Sequence, residues 1–381
     1  MSKMARRENL IARSIVYTIL NAGDDGRPYR RLSLWARAIR LFRLFWLTFR
    51  LVRFDLFRSL RELWGVREED YKSSFRRGPL EPMGDMGYSG STFFRTSDSA
   101  YLVKSIPRHS EHDFFKNELM EPYVAHMRAN PMSLLVRITD FIESAHKSIG
   151  LLLGLAPSHH IIMENIMYGQ DQNQGQNGDQ EQSGSSTPRV KWESWDLKPP
   201  TYFYPERDVA GGALASEATK SKLADEFHDK IHLSREQFED FKAQLETDTQ
   251  LLANSNAVDY SLFLVRVSAA DAPAPEAQPA LESGQTSSKP IPPAQPPFSP
   301  PGPPSWRTGV TSSNGAEIYR AAVLDFFWAK HTVHARAMTG LVNTYRVVDE
   351  QGPMSITTES KEYRQRFLNM CFGFVEVGDN G

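Results

Sequence analysis

The chain has 381 residues, 40% of them hydrophobic and 24% charged, with one cysteine, Cys371. This excludes collagen, full disorder, a disulfide-stapled small domain and a cysteine-rich zinc site, and it leaves a globular chain with a sizeable core. Net charge is −2, which argues against a nucleic-acid partner, yet the first sixty residues carry thirteen Lys/Arg and four Asp/Glu, a local +9 suited to an anionic membrane surface or polyanion.

The start, MSKMARREN, lacks the early apolar run of a secretory leader. Residues 30–64 read as a cationic amphipathic helix or helix pair, with Arg recurring between Leu, Phe, Trp and Ile. Such an element can lie in a membrane interface or pack its apolar face on the domain. The arginines leave no charge-free stretch long enough to span a bilayer. Within 85–106, a Gly/Ser turn (Gly87-Tyr88-Ser89-Gly90-Ser91) precedes two short strands joined near Ser97-Asp98-Ser99. Residues 110–129 read as helix, and 134–141, 149–154 and 160–167 as strands. The polar run 169–188 is a low-complexity insertion. WESWDLK then reads as strand, 216–254 contains a long helix, and 258–267 is a continuous buried strand. Twelve of the 24 prolines fall between Pro273 and Pro304, so 268–309 reads as a Pro-rich linker whose P-x-x-P registers suit an SH3-type partner. An apolar strand at 321–327 and a closing helix at 362–371 complete the pattern.

Chemistry enters through charged residues in apolar strands. Lys104 alternates on the strand after the Gly/Ser turn, and Asp259 and Asp325 lie in strands that look buried, where a carboxylate needs a partner. A Gly-rich turn can bring backbone N–H groups to phosphate, a lysine can neutralise it, and two aspartates can serve an acceptor hydroxyl and a magnesium ion. This order suits nucleotide phosphoryl transfer. Glu111, or alternatively Glu118, is the candidate ion-pair partner of Lys104. His159-His160 reads as strand packing, and His228 with His232 as a surface helix face lacking a third metal ligand. No nucleophile elbow supports Ser-His-Asp hydrolysis, and no H-R-D or D-F-G motif supports a protein kinase.

Several segments together resemble the catalytic core of phosphatidylinositol phosphate kinases. They are FDLFRSLRELWGVREEDYKSSF (54–75), GYSGSTFFRTSDSAYLVKSI (87–106), the helix and NPMSLL of 110–141, HHIIMENIMYG (159–169), WDLK (195–198), VDYSLF (258–263), VLDFF (323–327) and YRQRFLNM (363–370). The resemblance covers both 4-phosphate 5-kinase-like and 3-phosphate 5-kinase-like members. Trp328, Lys330, His331 and Gly340 lean toward the latter.

The resemblance implies an α+β, two-lobed lipid-kinase (SAICAR-synthase-like) fold with antiparallel sheets and flanking helices. It implies a basic arm at 1–53, a core at 54–372 and a tail at 373–381. It further implies ATP- and Mg²⁺-dependent phosphorylation of a phosphatidylinositol monophosphate, at the plasma or endosomal membrane. Carried over by position, Gly87, Ser89, Gly90, Ser91 and Lys104 would meet the ATP phosphates, and Met163, Glu164, Asn165 and Ile166 would form the adenine hinge. Asp325 and Asp259 would serve metal and acceptor hydroxyl, with Asp196 and Lys198 beside the transferred phosphate. Lys330, His331, His334 and Arg336 would face the lipid headgroup. One departure stands out: Pro199-Pro200 follows DLK where the family has Gly-Ser, removing two N–H donors. This raises an alternative, a catalytically impaired phosphoinositide-binding or scaffold protein.

Overall fold

The computed structural model describes residues 3–22, 47–83, 91–145, 156–170, 190–199, 227–269, 305–329 and 359–378. The expected strand at 149–154, nearly all of the 169–188 insertion and most of the Pro-rich stretch lie outside them.

The first helix, α1 (Lys3–Leu20), places Ile11, Ile15 and Ile19 four residues apart, and all three are buried. That stripe packs on α3 (Glu68–Arg76) and on β1 (Phe49–Leu51). Much of the expected basic arm is therefore part of the fold. The helix expected over 30–64 also changes. At Phe49 and Leu51 burial alternates with the exposed Arg50, a period of two, and the segment forms strand β1. Arg53, at φ 50°, then turns the chain into α2 (Phe54–Leu63). Arg50 and Arg53 do not form a free cationic face, because their guanidinium groups bind Glu143 and Glu121.

The first sheet is antiparallel, in the order β1, β5 (Ile138–Ser144), β6 (His159–Glu164), β4 (Tyr101–Ser105), β3 (Phe93–Arg95), β2 (Glu81–Pro82). Asp140 on β5 is buried and paired through one oxygen, Oδ2: Tyr71 Oη donates to it at 2.7 Å and Arg61 Nη1 lies 3.0 Å away. This pins α2 and α3 to the sheet. The helix expected over 110–129 is present with a defect: α4 (His109–Phe114) and α5 (Met120–Ala129) are joined by a π-helical turn, Phe115–Leu119.

The second sheet is antiparallel, in the order β11 (Val310–Thr311), β12 (Glu317–Leu324), β10 (Ser261–Ala269), β7 (Val190–Leu197). Of the long helix expected in 216–254, the described part is α6 (Arg235–Asn254), started by a capping box of Ser234 and Gln237. Before it, β8 (Ile231–Leu233) pairs in parallel with β14 (Val375–Val377), which follows α7 (Ser360–Gly373). The Pro-rich linker is shorter than expected at both ends. Residues 268–269 finish β10, and Trp306 is buried with its ring 4.3 Å from Phe241. No helix among the described residues is long and apolar enough to cross a membrane.

Candidate active site

Two aspartates sit at one structural kink. The ladder between β10 and β12 ends with Ser261 opposite Leu324. It resumes as a two-stranded ribbon between β9 (Ala257–Val258) and β13 (Trp328–Ala329), with Val258 opposite Trp328. Between the ladders lie Asp259 and Asp325, at φ 66° and 62°. Both occupy the left-handed region, which Asp tolerates better than most residues. The expected continuous strands at 258–267 and 321–327 thus each break at their aspartate.

Aromatic neighbours hold the kink. Tyr260 is buried against Tyr363 and Phe367, with ring centroids 4.7 and 4.9 Å apart. Phe326 stacks on Tyr123 at 5.9 Å, and Phe327 meets Phe115 of the π turn at 5.2 Å. The Phe327 N–H donates to Asp325 O at 2.9 Å, closing a tight turn. With these rings anchored in the core, the two carboxylates are fixed by backbone geometry rather than by their own rotamers alone.

Each carboxylate meets a lysine from another strand. Lys104, buried on β4 opposite Phe93 and Ile161, donates to Asp325 Oδ1. Lys198, just past β7, donates to Asp259 Oδ1 at 2.8 Å. The site therefore joins the two sheets. Burial pushes the Asp325 carboxyl up, but Lys104 and Lys198 outweigh it and hold the group below its ordinary value. Burial alone would lower Lys198, while Asp259, Asp325 and Asp196 raise it. Asp196, opposite Phe263 on β7, is pushed above the usual carboxylate range by burial and then by Asp325. Lys104, Lys198, Asp196, Asp259 and Asp325 are thus one electrostatic cluster.

The expected helix partner of Lys104 is corrected. Its ion pair is with Asp325, while Glu111 accepts from Arg108 Nη1 at 2.8 Å. Of the expected phosphate loop only Ser91 is described, and it is buried; Gly87, Ser89 and Gly90 lie outside the described residues. So do Lys330, His331, His334 and Arg336. Met163, Glu164, Asn165 and Ile166 are buried beside β4. Several of their groups already have partners: Glu164 N–H donates to Arg137 O, Asn165 N–H to Ala100 O, and Ile166 O accepts from Arg320. A nucleotide base would have to use the backbone groups that remain.

Sequence reasoning named Glu164 for the hinge but missed the groups that hold its side chain and the polar network beside it. Glu164 accepts from Arg137 N–H at 2.8 Å and pairs with Arg307, which also donates to Ser133 O at 2.6 Å. Asp248, buried on α6, accepts from Leu134 N–H, Ser133 Oγ and His126. Glu164 stands out as a charge in an apolar strand, whereas Asp248 and Arg307 lie among polar or Pro-rich neighbours that give no such signal. His160 behaves as strand packing, edge-on to Phe49 at 5.1 Å.

The donor set suits a nucleotide-borne magnesium ion. Among the described residues no group of three or more His, Cys, Asp or Glu could hold a metal ion by itself. Mg²⁺ typically takes one or two carboxylates and completes its shell with water and phosphate oxygens. Asp325 and Asp259 would supply two such carboxylates.

A family model described as Phosphatidylinositol-4-phosphate 5-Kinase matches residues 74–373. Human phosphatidylinositol 4-phosphate 5-kinase type-1 beta is 25% identical over 210 residues, 55% of this chain and 34% of that protein. The rat type-1 alpha protein is 31% identical over 99 residues, 26% of this chain and 18% of that protein. The Drosophila melanogaster type-1 sktl protein is 32% identical over 79 residues, 21% of this chain and 10% of that protein. The match thus spans about a third or less of these relatives' length. The family match extends over most of this chain, including every residue of the lysine–aspartate cluster, and the chain is a divergent member of the phosphatidylinositol-4-phosphate 5-kinase family.

Proposed function

We propose that the chain transfers the γ-phosphoryl group of ATP to an inositol hydroxyl of a phosphatidylinositol monophosphate at an anionic membrane surface. The observation that carries this reading is the pair of ion pairs, Lys104 with Asp325 and Lys198 with Asp259, brought together at one kink from both sheets. Each lysine neutralises an aspartate that would otherwise be a costly, part-buried charge. ATP phosphates compete for the same ammonium groups. Lys104 and Lys198 then bind phosphate oxygens, and the released carboxylates of Asp325 and Asp259 can hold Mg²⁺. When bound, the ion neutralises charge on the transferred phosphoryl group. Where Asp325 alone holds the ion, Asp259 is the group that orients the acceptor hydroxyl and takes its proton. Asp196, whose carboxyl burial and then Asp325 push above its ordinary value, lies in the same cluster.

Lys330, His331, His334 and Arg336 are assigned to the lipid headgroup, and the P-x-x-P registers of the Pro-rich stretch to an SH3-type partner. The test is product analysis: incubate the full chain with ATP, Mg²⁺ and vesicles carrying each monophosphoinositide, then extract the lipids. A bisphosphate product from one vesicle type supports the reading. A phosphoinositide-binding scaffold is the second reading, favoured by Pro199, which is buried directly after Lys198 and has no N–H to offer a phosphate. ATP binding with no lipid product would select it.

A further inference from the structure

We propose that Arg108 is a positioning residue that holds Asp325 in place once nucleotide has drawn Lys104 away from it. The inference rests on the reading of Asp325 as a group that serves nucleotide-bound metal. Lys104 and Asp325 are bonded directly. Binding of phosphate by Lys104 breaks that bond, so something else must keep the aspartate where metal needs it.

The structure contains a second link between the same two strands. Four residues after Lys104, at the start of α4, Arg108 lies with its guanidinium 5.6 Å from the ring centroid of Trp328. Trp328 follows Asp325 by three residues and opens β13, against which α4 packs. Its indole Nε1 is buried without a hydrogen-bond partner, so the cation over its face is the polar contact that orients the ring. Arg108 is itself locked, donating from Nη1 to Glu111 Oε1 at 2.8 Å, one turn along the same helix. The connection from Lys104 to Arg108 is short and tied to the sheet through Ile106 N–H, which donates to His159 O at 2.9 Å. On the other side, Trp328 pairs with Val258, the residue before Asp259. The Glu111–Arg108–Trp328 chain therefore anchors the ribbon that carries both aspartates to the strand that carries Lys104. It uses no group that a nucleotide would displace.

The test measures ATP binding by calorimetry on the full chain, once in EDTA and once with Mg²⁺, for wild type, Arg108→Ala, Arg108→Lys and Trp328→Phe. Thermal unfolding of each variant checks that it is folded. Metal-free ATP affinity should stay within about twofold of wild type in all three variants, because the lysines are untouched. The gain in affinity on adding Mg²⁺ should fall by about fivefold in Arg108→Ala, the scale of one part-exposed cation–π contact, and recover partly in Arg108→Lys. Trp328→Phe, which keeps a weaker aromatic face, should lie between. A Mg²⁺ gain unchanged in Arg108→Ala overturns the proposal. So does an equal loss of affinity with and without Mg²⁺, which would mean Arg108 merely supports the fold. Wild type that binds ATP with a Mg²⁺ gain but phosphorylates no lipid ends the kinase reading and leaves this inference standing. Wild type that binds no ATP in either condition overturns both.

Discussion

Lys104 and Asp325 are each stable in the site because of the other. Removing either charge strands its partner, whereas removing both leaves a neutral pocket. Replacing Lys104 by Met and Asp325 by Asn, singly and together, should show a coupling of about 1–3 kcal/mol in chemical denaturation, with the double variant less destabilised than the sum. Strict additivity would mean that the pair is not formed in solution. Asn is the appropriate replacement because Asp325 sits at φ 62°, which Asn adopts readily and a β-branched residue does not. A second residue-scale expectation concerns His160, which is fully buried with neither ring nitrogen bonded. Burial, and then His159, lower its pKa to about 3. Between that value and the unfolded value near 6.5 the unfolded chain binds the extra proton, so stability rises with pH through this window and falls on acidification. His160→Gln should flatten the dependence of unfolding free energy between pH 4 and 6 by up to about 1.4 kcal/mol per pH unit. An unchanged slope would show that His160 is not held neutral by the fold.

At the scale of elements, the two aspartates are positioned by a break in strand pairing. The sequence marks both as unusual, since a carboxylate in VDYSLF or AAVLDFF must find a partner. It does not reveal that the two strands pair, or that the ladder kinks at the same level on each, because local pattern carries no record of the neighbouring strand. The alternation of Phe49, Arg50 and Leu51 was legible as a strand, but the surrounding arginines made a helical reading more attractive. Arg108 and Arg307 escaped notice for a different reason: they lie beside polar or Pro-rich segments, where an arginine ordinarily meets solvent. Trp306 shows how far the fold reaches into the Pro-rich stretch. Its side chain is 1% exposed and packs on Phe241, so Trp306→Ala should cost about 3–5 kcal/mol, measured as a lowered denaturation midpoint. A loss below about 1 kcal/mol would mean that this segment is not part of the core.

For the whole molecule, the local +9 of the first sixty residues has two parts. Arg50 and Arg53 are committed to Glu143 and Glu121. Arg37, Arg40 and Arg43 lie outside the described residues, and we propose that they meet anionic lipid. Binding to vesicles containing anionic lipid should therefore weaken as salt rises from low to high concentration, since the Debye length shrinks to about 10 Å at 0.1 M. Arg37→Glu, Arg40→Glu and Arg43→Glu together should remove most of that salt dependence, read by vesicle co-sedimentation. Salt-insensitive binding, or a triple variant that behaves as wild type, would place the membrane contact elsewhere.

The central claim is that the lysine–aspartate cluster joining the two sheets is a phosphoryl-transfer site acting on lipid. Its most direct test compares wild type with Asp325→Asn, using labelled ATP, Mg²⁺ and vesicles carrying each monophosphoinositide. We expect label in a bisphosphate lipid with wild type, and a rate lower by at least about a hundredfold in Asp325→Asn, the loss that follows removal of a major charge-stabilising group. Lipid labelling by wild type no higher than that of the variant, on every vesicle type, would contradict it.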